Sequence, residues 1–261
     1  MCIFVLSFNI NLYTRTMNKE KQFVATDEAK GKATQLRIFA ALLWIGAIVA
    51  QIFAIRFILQ AVRAEESIIN MWTIGLIILD LILVLIGSML WKKSGRLDPP
   101  SEKNKFLFVL QSQLGVIAAI VAFLPLIILV LTNKNIDGKQ KAILGSIAGV
   151  ALVIAGIGSA DFNPPSIEKY TEQINAQTDL IKELNNGVDL VYWTNQGNKY
   201  HLDADCQHIR NRDKHNGTVK QAWEERKIGD SELCLTCKKN AEKKLSTEET
   251  TQEILDEINP E

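Results

Sequence analysis

Residues 106–131 read F-L-F-V-L-Q-S-Q-L-G-V-I-A-A-I-V-A-F-L-P-L-I-I-L-V-L, without one charged side chain. A helix rises about 1.5 Å per residue, so this run can cross a hydrocarbon core of about 30 Å. Gln111 and Gln113 are polar groups near one end, and Pro125 predicts a kink. Three further apolar runs accompany it. Residues 36–60 carry no charge from Ile38 to Ile55, and Arg56 stands near the far end, where a long side chain reaches the headgroups. Residues 68–91 are interrupted only by Asp80. Residues 142–160 are shorter and rich in small side chains. Gly145, Ala148, Gly149, Ala155, Gly156 and Gly158 there predict a face for close helix packing. Trp44, Trp72 and Trp91 fall toward the ends of spans, as interfacial aromatics do.

The chain thus reads as a mainly α membrane protein: four transmembrane helices, a linker helix and a small α+β zinc-binding domain. A polar N-terminal segment fills residues 1–35 and the transmembrane domain residues 36–160. The linker helix takes residues 163–187, the zinc-binding domain 188–244 and an acidic tail 245–261. The totals conceal this division. Over 261 residues, 48% hydrophobic, 29 Lys and Arg offset 29 Asp and Glu. With no basic excess, bulk electrostatics give little support to polyanion binding. Residues 1–13 are apolar but lack the positive n-region and cleavage site of a secretory signal. Met17 is the expected natural start, with residues 1–16 an upstream extension.

Basic residues orient the spans. Lys19, Lys21, Lys30, Lys32 and Arg37 precede the first, and Lys92, Lys93, Arg96, Lys103 and Lys105 separate the second and third. The other side has Arg63, Lys134, Lys139 and Lys141. The positive-inside rule therefore places both termini in the cytoplasm.

After the last span, Asn163-Pro164-Pro165 breaks the helix and Ser166 can cap a new one. Ile167, Tyr170, Ile174, Gln177, Ile181, Leu184 and Val188 then recur at spacings of three and four. Such a seam can join two copies in a coiled coil, or lay one amphipathic helix on the zinc domain or the membrane surface. Gln177 and a length of about three heptads favour the second. Asn185-Asn186-Gly187 ends this helix. Residues 190–194 read as a strand, 195–198 as a turn and 199–202 as its hairpin partner. Thr218-Val-Lys-Gln221 is a capping box opening a helix that closes near Gly229.

His201, Cys206, Cys234 and Cys237 form H-x4-C followed by C-x2-C, a spacing that suits a tetrahedral zinc site. Only Cys2 lies outside this group, so no paired disulfide framework exists, and a metal site in a reducing compartment fits better. A redox C-x-x-C would need a thioredoxin-like βαβ context that is absent. His208 and His215 are spare ligand candidates, and Asp203 and Asp205 read as solvent-exposed loop carboxylates. A unit this small buries little apolar surface, which makes a metal staple physically reasonable.

The run V-Y-W-T…G-N-K-Y-H-L-D-A-D-C-Q-H-I…N-G-T-V-K-Q-A…C-L-T-C resembles the Ada-type metal-binding domain. This small zinc module is known from the bacterial DNA methyl-phosphotriester repair protein and other bacterial proteins. The resemblance covers residues 190–239 through Y-H-x4-C, G-T-x3-A and C-x2-C. It implies zinc held by His201, Cys206, Cys234 and Cys237. In the repair protein the first of four cysteine ligands accepts the methyl group. Here His201 stands at that position, and imidazole does not replace an activated thiolate. The resemblance therefore implies a closed structural site and no methyl transfer. The whole chain is also similar to bacterial, largely Firmicute, multi-pass membrane proteins through L-W-K-K…R-L-D-P-x-S-E-K-N-K-F and D-F-N-P-P-S. That likeness implies the architecture, in a bacterial inner membrane, and supplies no activity.

Asp80 and Gln51 lie at similar depth in the second and first spans and mark an intramembrane polar site. They read either as a proton or cation site in a small transporter regulated by the zinc domain, or as hydrogen-bonded glue between helices. No G-x-x-x-x-G-K-[ST], G-x-S-x-G or H-E-x-x-H motif occurs, so no enzyme class is supported. The expected role is a cytoplasmic zinc module for protein or nucleic-acid interaction or regulation. A membrane-tethered zinc or thiol-redox sensor is a further reading. The expected partners are the lipid bilayer, a second copy through the linker helix, and a cytoplasmic protein or nucleic acid.

Overall fold

A computed structural model of the chain describes residues 22–226 and 232–258, with backbone alone beyond residue 247. The expected start at Met17 and the helix end near Gly229 lie outside the described residues. The chain divides into two compact units, Asp27–Pro164 and the stretch up to Thr26 joined with everything from Pro165 onward.

The first unit contains α1 (Asp27–Arg63), α2 (Met71–Leu97), α3 (Lys105–Ser112), α4 (Leu114–Thr132) and α5 (Gly138–Ser159). Of these, α1, α2, α4 and α5 are long and apolar enough to cross a membrane. Their packing is inverted relative to a protein in water. On α1 the large side chains Ile38, Phe39, Leu42, Ile45, Ile52 and Phe53 are exposed. On its buried face Ala33, Ala40, Ala47, Ala54 and Ala61 recur every seventh residue, beside the larger Trp44, Gln51 and Ile58. No more than 33% of the most apolar window of any of the four helices is buried. In water such an arrangement would forgo most of the hydrophobic driving force; in lipid the tails solvate the outer face and small residues let helices approach.

Individual contacts fix the bundle. Asn70 caps α2 by accepting from Thr73 N at 2.9 Å, and Asp137 caps α5 by accepting from Lys139 N at 2.9 Å. Gly87 lies under Trp44: a Cβ there would stand 2.7 Å from the indole Nε1. Gly115 sits between Ser88 and Ser159, where a Cβ would lie 2.8 Å from Ser88 Oγ. Lys92 Nζ donates to Gly158 O at 2.7 Å, a cation placed on the C-terminus of α5. Arg37 donates to Asp98 through both guanidinium nitrogens, tying α1 to the end of α2.

Two expectations change here. The single helix expected over residues 106–131 is two helices, broken at Gln113, and Pro125 lies inside α4. At the break the Gln113 amide is tied to the chain after α5: Nε2 donates to Asp161 O at 2.7 Å and Oε1 accepts from Asp161 N at 3.3 Å. The small-residue face expected on the last span is only partly used. Ala148, Ala151 and Ala155 are buried, whereas Gly149 and Gly156 have nothing within 4 Å of a would-be Cβ.

The second unit begins with α6 (Ile167–Leu184), capped by Ser166 accepting from Lys169 N at 3.0 Å. It ends in a Schellman arrangement: Asn186 takes φ 49°, and Gly187 N donates to Lys182 O at 2.7 Å. The apolar seam of α6 faces its own module. Tyr170, Ile174 and Ile181 are buried, and Gln177 accepts a hydrogen bond from the Tyr200 hydroxyl. The strands are short: β1 (Val191–Trp193), β2 (Lys199–Tyr200), β3 (His215–Gly217) and β4 (Glu232–Leu233). The hairpin expected between residues 190–194 and 199–202 reduces to one bridge, in which Tyr192 and His201 exchange two bonds of 2.7 Å. The longer ladders are β1 with β3, antiparallel, and β2 with β4, parallel. β3 returns from the ligand loop to cover the outer edge of β1, and β4, after the next helix, covers that of β2.

Helix α7 (Val219–Arg226) opens on a reciprocal capping box, with Thr218 N donating to Gln221 Oε1 at 2.9 Å and Gln221 N to Thr218 Oγ1 at 3.2 Å. Helix α8 runs Leu235–Ile258. Val191, Trp193, Tyr200, Val219, Ala222, Trp223 and Leu233 fill the core. Phe23 completes it. Its ring meets Tyr170 edge-on at 5.2 Å, Tyr170 meets Trp223 at 5.7 Å, and Phe23 N donates to Thr171 Oγ1 at 3.0 Å. The residues just before α1 therefore belong to this unit.

Candidate metal centre

The four side chains singled out by spacing converge. The ligand atoms of His201, Cys206, Cys234 and Cys237 all lie within 4.8 Å of one another, and all four residues are buried. Each is placed by backbone bonds. His201 follows β2 directly and is held by its exchange with Tyr192. Cys206 lies on a turn in which Asp205 N donates to Asp203 Oδ1 at 2.8 Å and Cys206 N to Asp203 O at 3.3 Å. The buried Ile209 and its neighbour Arg210 then donate back to Cys206 O, both at 2.9 Å. Cys234 N donates to Tyr200 O at 2.9 Å, setting the second ligand pair beside the first. Cys237 occupies the first turn of α8, where the helix dipole favours a thiolate.

The donor set fits a tetrahedral metal. With metal–sulfur bonds of about 2.3 Å and metal–nitrogen bonds of about 2.0–2.1 Å, the S···N edge should be about 3.6 Å. Cys237 Sγ stands 3.7 Å from His201 Nδ1. The three cysteines are free thiols. Without a metal they differ electrostatically. Burial alone raises the Cys234 thiol, but the N–H groups of Cys237 and Thr236, with further hydrogen bonds, outweigh it and lower the thiol below its ordinary value. Burial pushes the Cys237 thiol up to about 12, against backbone donors at Asp203 and Leu202. A cation at the centre reverses that penalty, since it binds the thiolate and releases the proton.

The other polar residues of the loop stay outside. His208 Nε2 lies 3.2 Å from Thr236 Oγ1, and its ring is 6.3 Å from that of His201. His215 Nε2 lies 2.8 Å from Asn195 Oδ1, with the ring stacked on Trp193. Asp203 and Asp205 are exposed. In the other unit, Asp80 and Gln51 are 3% and 5% exposed.

Sequence reasoning missed the supports of this centre. Gln177 anchors Tyr200, the residue before His201, from a position read as a weak point in an apolar seam. Glu224 accepts from Val24 N at 3.2 Å, so the N-terminal stretch is also bound to α7. No local pattern announces either contact.

The geometry defines a class: a four-helix membrane protein carrying a buried His/Cys cluster that can hold a metal ion. Compared with protein-family models, curated proteins and solved structures, the chain matches none.

Proposed function

We propose that this chain is a bacterial inner-membrane protein with cytoplasmic termini, whose Ada-like module binds one structural Zn²⁺ through His201, Cys206, Cys234 and Cys237. The module serves protein or nucleic-acid interaction, or regulation, without catalysis of its own. The observation that carries this reading is the burial of all four ligand atoms within 4.8 Å. Four protein ligands close a tetrahedral site, whereas catalytic zinc keeps one position for water. Thiolate-rich donors also favour zinc over the hard cations that oxygen ligands select. The surface the metal would organise is the 207–220 loop and α7, because Cys206 and the C-x2-C pair bracket them. Arg210 and Arg212 are exposed on that loop.

The test is metal analysis of the detergent-purified full chain, followed by chelation. One zinc per chain, with the module becoming protease-sensitive when zinc is removed, is the expected result. A metal-free chain whose module resists protease equally well overturns it.

A further inference from the structure

In the four-helix unit, six buried side-chain atoms have no hydrogen-bond partner: Trp44 Nε1, Gln51 Nε2, Thr73 Oγ1, Asp80 Oδ1, Ser88 Oγ and Ser159 Oγ. Thr73, Asp80 and Ser88 lie seven and eight residues apart, on one face of α2, all at most 3% exposed. Three contacts set how α1 runs against that face. Trp44 covers Gly87, Gly46 meets Leu83, and Phe57 stacks on Trp72 at 6.4 Å. They share one antiparallel register, which places Gln51 across from Ile78 to Asp80.

No charged group faces Asp80. Helix α4 has none, and α5 carries only Lys139 and Lys141 in its first turn. On α1 the nearest is Arg56, exposed and more than a helical turn away in that register. On α2 itself the other charges, Lys92, Lys93 and Arg96, begin twelve residues on, about 18 Å along the axis. An unpaired carboxylate in this setting is expensive, so Asp80 must bind a cation or a proton. A metal cation of the hard class takes about six oxygen ligands. In that register α1 offers one amide at this level, Gln51, while Thr73 and Ser88 stand about 10–12 Å along α2. That donor set suits a proton.

We propose that Asp80, opposed by Gln51, is a reversible proton site within the bundle. Thr73 lies toward one end of α2 and Ser88 toward the other, so polar groups mark the seam on both sides of the carboxyl. Nothing in this inference depends on the metal centre.

The experiment is infrared spectroscopy of the full chain in lipid nanodiscs, titrated from about pH 5 to pH 9 in H₂O and in D₂O. The expected result is a protonated-carboxyl C=O band that titrates, shifts in D₂O and is missing in Asp80→Asn. In Gln51→Leu, which keeps the carboxyl, the midpoint should move by at least about one pH unit, a tenfold change in proton affinity. A band that neither titrates nor exchanges marks a permanently neutral structural group and overturns the proposal. So does the absence of any such band in the wild-type chain, or its persistence in Asp80→Asn.

Discussion

Cys237→Ser alters one atom of a residue that is 5% exposed and takes away the sulfur 3.7 Å from His201 Nδ1. A serine hydroxyl does not ionise near neutral pH, so one corner of the tetrahedron loses its anionic ligand. Structural zinc contributes about 10–16 kcal/mol of apparent binding energy in small modules, against about 5–15 kcal/mol for the whole stability of a typical domain. Losing most of that leaves the module dependent on Trp193, Tyr200, Trp223 and their neighbours. Zinc affinity should fall by more than about 100-fold, beyond the 10–100-fold that supporting residues around a metal typically cost. Competition with a chromogenic chelator measures this directly, and limited proteolysis should show the module digested while the Asp27–Pro164 unit survives. His215→Ala, outside the cluster, should leave both readouts unchanged. Stoichiometric zinc and wild-type proteolysis in Cys237→Ser would refute the assignment of this thiol as a ligand.

Other consequences are equally open to measurement. Gly87→Ala sets a methyl against Trp44 and 3.2 Å from the Ala40 carbonyl, backbone that cannot swing aside. Overpacking of this kind costs about 1–3 kcal/mol, readable as a lower thermal midpoint in detergent, and an unchanged midpoint would mean the contact is looser than described. Phe23→Ala should destabilise the module by about 3–5 kcal/mol although it lies on the far side of the spans in sequence. Faster proteolysis between residues 165 and 247 reports it, and unchanged cleavage would place Phe23 outside the core.

The metal cluster was legible because ligand chemistry is local: a C-x2-C turn and an H-x4-C loop declare themselves within a few residues. The spans were legible because a bilayer excludes charge over a whole helix. Where a contact joins distant residues of modest character, the reading failed. The break at Gln113 falls where its amide bonds distant Asp161, and β3 is His-Asn-Gly, a sequence with no strand propensity of its own. The alanines of α1 stand at a regular interval in plain view. They went unread because hydrophobicity surrounds that helix on all sides, so no polar face throws the inner one into relief.

That run of alanines has a mechanical side. A contact repeated every seventh residue coils two helices left-handedly about one another, and in its alanine row each step is the same as the next. Identical steps give a sliding surface with no preferred stop: a slip of one repeat would seat alanine where alanine sat before. The stops come from outside the ladder, from Trp44 lodged over Gly87 toward one end and Phe57 stacked on Trp72 toward the other. Two indoles, one over a glycine and one against a phenylalanine, thus act as detents and help decide which residue of α1 looks at Asp80.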